Sequence, residues 1–368
     1  MRIVYVLTSL GIGGAERQAL AQAERMAKRG HKVAILVLRP HLAEEWPTTL
    51  EVVHLDMRKR PSNMLRGLAR GRRYLLEFKP DLLHSHSFHA NLVARLLKVL
   101  IPSTVVLSTV HNVYEGGWMR MLAYRLTDGL SRRTTAVCEA AAARFVRLKA
   151  VPQHKCVVVA NGIETAKLTP DPERRARIRK QMGVAGEFVW MTAGRVVRAK
   201  DYPSLLRAFV RVFAIHPDVQ LWVAGASTAE DMERLHTMTV VRGLGDAVRW
   251  LGLRRDLPAL LDAADGFVLA SAWEGMPLAL GEAMAMEKPV VATDVGGTRE
   301  LVGDAGAIVP SRAPDALATA MLDMMQRTPE YRHTLGVAER RRICLKFNME
   351  TKADEWEALY RTVLECKS

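Results

Sequence analysis

At 368 residues the chain is too long for one average domain and suits two, each large enough to bury a core. Its apolar share of 49% is that of a soluble protein, and no uninterrupted apolar run is long enough to span a bilayer. The net charge of +14 is lopsided: residues 1–165 hold 25 Lys and Arg against 12 Asp and Glu, and residues 166–368 hold 28 against 27. An excess confined to the first part points to an anionic partner. Without a nucleic-acid-binding motif beside it, a membrane surface or polyprenyl diphosphate ranks ahead of nucleic acid.

Residues 2–7 read as a buried strand, and Gly11, Gly13, Gly14 and Glu16 form a Gly-rich turn into a helix. Those residues break the N-terminal apolar run before it could act as a secretory signal, which places the protein in the cytoplasm. A dinucleotide fingerprint wants a third glycine where Glu16 stands, so an NAD-dependent oxidoreductase is disfavoured. The turn either lets backbone approach a phosphate or only packs tightly.

Strands are expected over 32–38 and 50–55, then a helix from Ser62 as N-cap. Arg58, Lys59 and Arg60 lead into it, and Arg66, Arg70 and Arg73 recur along it at helical spacing. This basic stretch, beside Met57 and Met64, is either a solvated helix face or a docking surface for anionic lipid. His84, His86 and His89 follow a strand end, then His111. A zinc reading is disfavoured, because we expect His84 and His86 to project to opposite sides and no carboxylate or cysteine completes a set. Such strand-end polar residues more often line a cleft.

Helices are expected over 118–131 and 139–149, with a strand over 134–137; Trp118, Met119, Met121 and Leu122, near Arg120 and Arg125, either touch lipid or acceptor or, the preferred reading for most of them, lie in the core. A second domain begins near Thr165. There a strand over 188–193 runs into Arg195 and Lys200, two cations able to neutralise a diphosphate, or else ordinary surface charges paired with Asp201 or Asp218. Strands near 219–225 and 247–252 continue the alternation, with Trp250 and Leu251 at a turn.

Residues 266–270 form a short apolar strand, Glu274 and Gly275 a loop, and 278–286 a helix with Pro277 at its first position. A helix start at the carboxyl edge of a parallel sheet offers N–H groups to an anion. Glu274 and Glu282 flank that position, better suited to accepting hydrogen bonds from ligand hydroxyls than to touching phosphate. Further helices are expected over 256–264, 314–326, 330–345 and 350–364. Cys138, Cys156, Cys344 and Cys366 are scattered without disulfide or metal spacing, as in a reducing compartment.

The Glu274 to Glu282 spacing, with Ser271 before it and Pro289-Val290-Val291-Ala292 and Gly296-Gly297 after it, resembles the donor-site signature of retaining glycosyltransferase family four. The order of motifs along the whole chain agrees. The resemblance implies a GT-B fold: two Rossmann-like doubly wound α/β domains facing a central cleft, residues 1–164 binding acceptor and 165–345 binding donor, with 346–368 crossing back. It implies transfer of a hexose or N-acetylhexosamine from a nucleotide diphosphate sugar, UDP favoured over GDP, without cofactor or metal. The acceptor would be a lipid-linked or membrane-proximal glycan in surface polysaccharide synthesis, met at the inner face of the cytoplasmic membrane.

By the same resemblance Glu274 holds the donor hexose and Glu282 the ribose. Gly275, Met276, Pro277 and Leu278 line the donor, Trp250 and Leu251 cup the base, and Arg195 and Lys200 hold the diphosphate beside Gly13 and Gly14. His111 sits at the reacting end, with His86 and Glu16 on the acceptor side. A nucleotide-sugar epimerase of the same fold and a non-catalytic lipid-binding protein are the competing readings.

Overall fold

The computed structural model describes residues 1–11, 13–42, 45–58 and 60–365. They form two units, Met1–Gly162 with the segment from Met349 onward, and Ile163–Asn348.

In the first unit the elements are β1 (Arg2–Leu7), α1 (Gly14–Lys28), β2 (Lys32–Val37), β3 (Glu51–His54), α2 (Pro61–Phe78), β4 (Leu82–His86), α3 (Phe88–Leu100), β5 (Val105–Val110), α4 (Trp118–Thr127), β6 (Arg133–Ala136), α5 (Glu139–Arg147) and β7 (Cys156–Val158). The strands pair in parallel in the order β3-β2-β1-β4-β5-β6-β7. The central ones are buried on both faces because helices cover both; β1 and β2 accordingly read as apolar runs without alternation, while β4 ends in the buried His84, Ser85 and His86. The helix expected to start at a Ser62 cap is capped two residues earlier. Pro61, with its φ already helical, opens α2, and Arg60 occupies the capping position without a side-chain hydrogen bond.

The second unit contains α6 (Pro172–Gln181), β8 (Val189–Ala193), α7 (Tyr202–Ile215), β9 (Gln220–Ala224), α8 (Ala229–Val241), β10 (Val248–Gly252), α9 (Leu257–Ala263), β11 (Gly266–Leu269), α10 (Leu278–Ala285), β12 (Val290–Thr293), α11 (Thr298–Val302), β13 (Ala307–Val309), α12 (Pro314–Gln326) and α13 (Pro329–Lys346). Its parallel sheet runs β10-β9-β8-β11-β12-β13. Both sheets therefore reverse strand order once, between β1 and β4 and between β8 and β11. Loops leaving adjacent strands at such a reversal diverge and leave a crevice at their carboxyl ends. The final helix, α14 (Met349–Glu365), belongs to the first unit, where Ala353, Trp356, Tyr360 and Val363 join Ile3, Tyr5 and Leu7 in one core.

Around β8 the strand ends are laced by glycine. The Gly194 N–H donates to the Ala224 carbonyl at 2.9 Å, and the Gly225 N–H to the Gly252 carbonyl at 2.7 Å. A Cβ at Gly225 would lie 1.9 Å from the Gly194 carbonyl oxygen, which also accepts from the Tyr202 hydroxyl. Gly225→Ala must push β8 and β9 apart at this end, and is expected to cost about 1–3 kcal/mol. A urea midpoint equal to wild type would show that the strand ends yield freely.

Candidate functional site

Of its predicted site residues, the second unit brings Lys200 and Glu274 together at the β8–β11 reversal. After β8 the chain passes the exposed Arg195 and makes a short turn at Arg198–Lys200 that returns Lys200 toward the sheet. After β11 the buried Ser271 and Glu274 lie opposite. One oxygen of Glu274 receives both the Lys200 ammonium, at 2.6 Å, and the Ser271 hydroxyl, at 2.7 Å. Lys200 thus pairs with Glu274, not with Asp201 or Asp218 as its surface-charge reading required. The loops are also joined through backbone, with the Ala272 N–H on the Ala199 carbonyl at 2.8 Å. Gly296, at φ +54°, presses against the Glu274 carbonyl, where a Cβ would come within 2.2 Å, and the Gly297 N–H donates to the Gly275 carbonyl.

Gly275, Met276 and Pro277 are buried beneath this loop, and α10 starts at Leu278. Pro277 is the residue before the helix instead of its first residue, with extended backbone and no side-chain cap. The first amides of α10 have no acceptor within the helix and offer themselves to an anion. Glu282, half-buried, follows one turn on. Trp250 and Leu251, expected at a turn, belong instead to the edge strand β10. The Trp250 indole packs toward Tyr202 and His236 and donates to Thr239.

In the first unit the reversal lies between the turn after β1 and the end of β4. Gly13 caps α1, and the Glu16 carboxylate folds back over it, so close that a Cβ at Gly13 would meet its oxygen at 2.1 Å. An acidic group at a helix start is stabilised by the helix dipole. His84 and His86 do not project to opposite sides: alternate residues of a strand share a face. Their rings lie 4.1 Å apart, and His86 stacks on Tyr5. His84 is held between the Tyr360 and Thr109 hydroxyls, both at 2.7 Å. His86 Nδ1 meets His111 Nε2 at 2.9 Å, which brings those two predicted residues together. Burial drives all three imidazoles toward the neutral form, His111 down to about 4. A neutral imidazole pair can donate to or accept from a hydroxyl, but carries no fixed charge.

Two family models match the chain: glycosyl transferases group 1 over residues 187–327, and glycosyltransferase family 4 over residues 12–167. The chain belongs to the group 1, family 4 glycosyltransferases. It is 29% identical over 350 residues to the lipopolysaccharide core biosynthesis mannosyltransferase LpsB of Rhizobium meliloti, covering 91% of this chain and 90% of that one. It is 24% identical over 302 residues to the UDP-Gal:alpha-D-GlcNAc-diphosphoundecaprenol alpha-1,3-galactosyltransferase of Escherichia coli, covering 77% and 75%. Among solved structures, Anabaena Alr3699/HepE in complex with UDP and glucose superposes with a TM-score of 0.86 at 21% identity, over 98% of this chain and 99% of that one. The fold is accordingly GT-B.

This glycosyltransferase has a residue beside His111 that the sequence reading passed over. Glu115 accepts the His111 backbone N–H at 2.9 Å and the Tyr124 hydroxyl at 2.7 Å. A carboxylate four residues past a strand-end histidine was the available signal. Its burial pushes the pKa up to about 7, against the lowering effect of those two donors and of Arg120.

The basic stretch is exposed at Arg58, Arg60, Arg66, Arg70 and Arg73, with Arg70 paired to Asp56 and Arg66 donating to Asn63; Lys59 lies outside the described residues. Met57 is not free surface but packs over Gly67. On α4 the expected core placement fails for Trp118, Met119 and Leu122, which are exposed, and holds for Met121.

Because the folded pKa of Glu115 exceeds its ordinary value of 4.5, folding takes up a proton between about pH 4.5 and 7. The associated stability is complete below that window and is lost as pH rises through it. Glu115→Gln, which does not titrate, should therefore gain on wild type in urea unfolding as pH is raised. Parallel pH dependence in the two proteins would count against a raised Glu115 pKa.

Proposed function

We propose that this glycosyltransferase moves a hexose or N-acetylhexosamine, with retention of configuration, from a nucleotide diphosphate sugar to a glycan or lipid-linked acceptor in surface polysaccharide synthesis. The observation that carries the reading is the Lys200–Glu274 pair beside an uncapped helix start, a cation, a carboxylate and free amides on adjacent strand-end loops. In the reaction the bond from the sugar's anomeric carbon to the diphosphate oxygen breaks, leaving charge on the diphosphate. Arg195, Lys200 and the first amides of α10 meet that charge electrostatically, so no divalent ion is needed. Glu274 accepts from the sugar hydroxyls and Glu282 from the ribose. The acceptor oxygen bonds to the same face of the sugar, its proton passing to the leaving phosphate oxygen. His111, His86 and Glu16 serve the acceptor side, with Gly13 and Gly14 supplying further amides.

The relatives named above support the class of donor and acceptor: one carries UDP-Gal and a diphosphoundecaprenol in its name, one acts in lipopolysaccharide core synthesis, and HepE binds UDP. UDP is the nucleotide we assign first. Removing a positioned cation typically costs about a hundredfold to a thousandfold in turnover. Lys200→Ala should lose that much in a release assay run with UDP, GDP and ADP sugars, while its circular dichroism stays that of wild type. Full turnover in the variant removes Lys200 from the mechanism, and UDP release without acceptor at the same rate removes the transfer.

For a lipid-linked acceptor the surface of the first unit matters. Among the described residues no helix is long and apolar enough to cross a membrane. Yet α4 exposes Trp118, Met119, Leu122 and Leu126, with Arg125 among them. At 3.6 residues per turn those four apolar side chains share an arc of about 100°. Underneath, α4 is pinned by the buried Arg95, which donates to the Tyr124 carbonyl and the Thr127 hydroxyl. An apolar stripe on a strongly basic unit is the pattern of a helix lying in an anionic bilayer surface. Burying one large apolar side chain contributes about 1.5–3 kcal/mol. The double variant W118A/L126A should therefore sediment with phosphatidylglycerol vesicles at least about tenfold more weakly. Binding equal to wild type would move the membrane contact elsewhere, the arginines of α2 being the next surface to test.

A further inference from the structure

Beyond β2, the loop leading to β3 brings together three side chains that the transfer chemistry does not use. His41 Nδ1 lies 2.8 Å from one Glu45 oxygen, and His54 Nε2 lies 3.7 Å from that same oxygen. The three potential ligand atoms are all within 4.8 Å of one another. Nitrogen and oxygen ligands about 2.0–2.1 Å from a tetrahedral zinc ion stand about 3.3 Å apart. The two histidine–glutamate separations bracket that value, and the two ring nitrogens stand within 4.8 Å of each other.

The surrounding hydrogen bonds orient the three groups toward one another. His54 Nδ1 sits 3.1 Å from the Arg39 carbonyl, an acceptor only, which assigns a proton to Nδ1 and turns Nε2 toward Glu45. Nε2 is therefore the ring atom that faces the Glu45 oxygen shared with His41. The other Glu45 oxygen is already occupied by the Leu42 N–H at 2.9 Å, which orients the carboxylate toward the histidines. The His41 side chain is 74% exposed, so one side of the cluster is open for a water ligand. Two imidazoles and one carboxylate suit a late first-row divalent ion; magnesium and calcium prefer all-oxygen sets.

We propose that His41, Glu45 and His54 form a zinc-binding site. It is separate from the proposed donor site and stands or falls without it. The loop it would brace lies against the turn after β1: the Trp46 N–H donates to the Leu10 carbonyl at 3.0 Å, and Leu42 Cδ1 packs beside Gly11. Bound zinc ties this loop to the end of β3 and so holds it against the Gly-rich turn.

The test uses the full chain without a histidine tag, stripped by chelator and dialysed. Zn²⁺ is titrated by calorimetry, and Co²⁺ by visible absorption, which reports four- or five-coordination. The expected result is one equivalent bound at micromolar affinity or tighter, a rise in melting temperature, and binding weakened at least about a hundredfold in both His41→Ala and His54→Ala. His41 is exposed, so His41→Ala keeps the fold even if His54→Ala does not. Absence of saturable zinc binding, or binding undiminished in His41→Ala, overturns the proposal; in that case His54 and Glu45 share only a proton.

Discussion

A single carboxylate oxygen, that of Glu274, ties together the two loops on which the second unit's site is built. Lys200 comes from the loop after β8, and Glu274 and Ser271 from the loop after β11, the two strands between which the sheet reverses. Divergent loops at a reversal are not held by the sheet ladder; this ion pair and the backbone Ala272–Ala199 hydrogen bond hold them. Both partners are mostly shielded from water, so removing either strands a charge in a poorly solvated place. The pair also presents the two groups that a charged, hydroxyl-rich ligand would use, a cation and a carboxylate already aimed.

Glycines make that closeness possible. At Gly225 and Gly296 a side chain would collide with backbone oxygen, at Gly194 and Glu274 respectively. Strand ends and loop are therefore packed backbone against backbone. Small displacements of the sheet pass directly to the residues that carry charge.

The reversal in the first unit works on the opposite electrostatic principle. Its imidazoles are stacked, hydrogen-bonded and kept neutral by burial, and α14 contributes to the arrangement through Tyr360, which reaches His84, Tyr5 and Gln22 together. Paired charge at one reversal and neutral stacked imidazoles at the other set the two apart chemically. The surface of the first unit is divided too: α2 displays arginine, and α4 displays large apolar side chains over a buried Arg95.

Amino-acid order alone determined the strand and helix alternation, both Rossmann-like halves, and the set of residues around Glu274, because apolar runs, Gly-rich turns and Glu spacing are local signals. It also marked Arg195, Lys200 and His111 for attention, since each follows a strand end. It did not reveal that Lys200 closes on Glu274, that His86 reaches His111, or that Glu115 lies beneath them, for those contacts join segments far apart in sequence or depend on how a loop turns. His84 and His86 were misplaced by neglecting that alternate strand residues share a face. For Trp118, Met119 and Leu122 the core was preferred over an exposed contact with lipid or acceptor, and they are exposed; an apolar stripe reads the same whether it faces a core or solvent. Only packing decides which side of a helix is covered, and here Arg95 anchors one side of α4 and leaves the other bare.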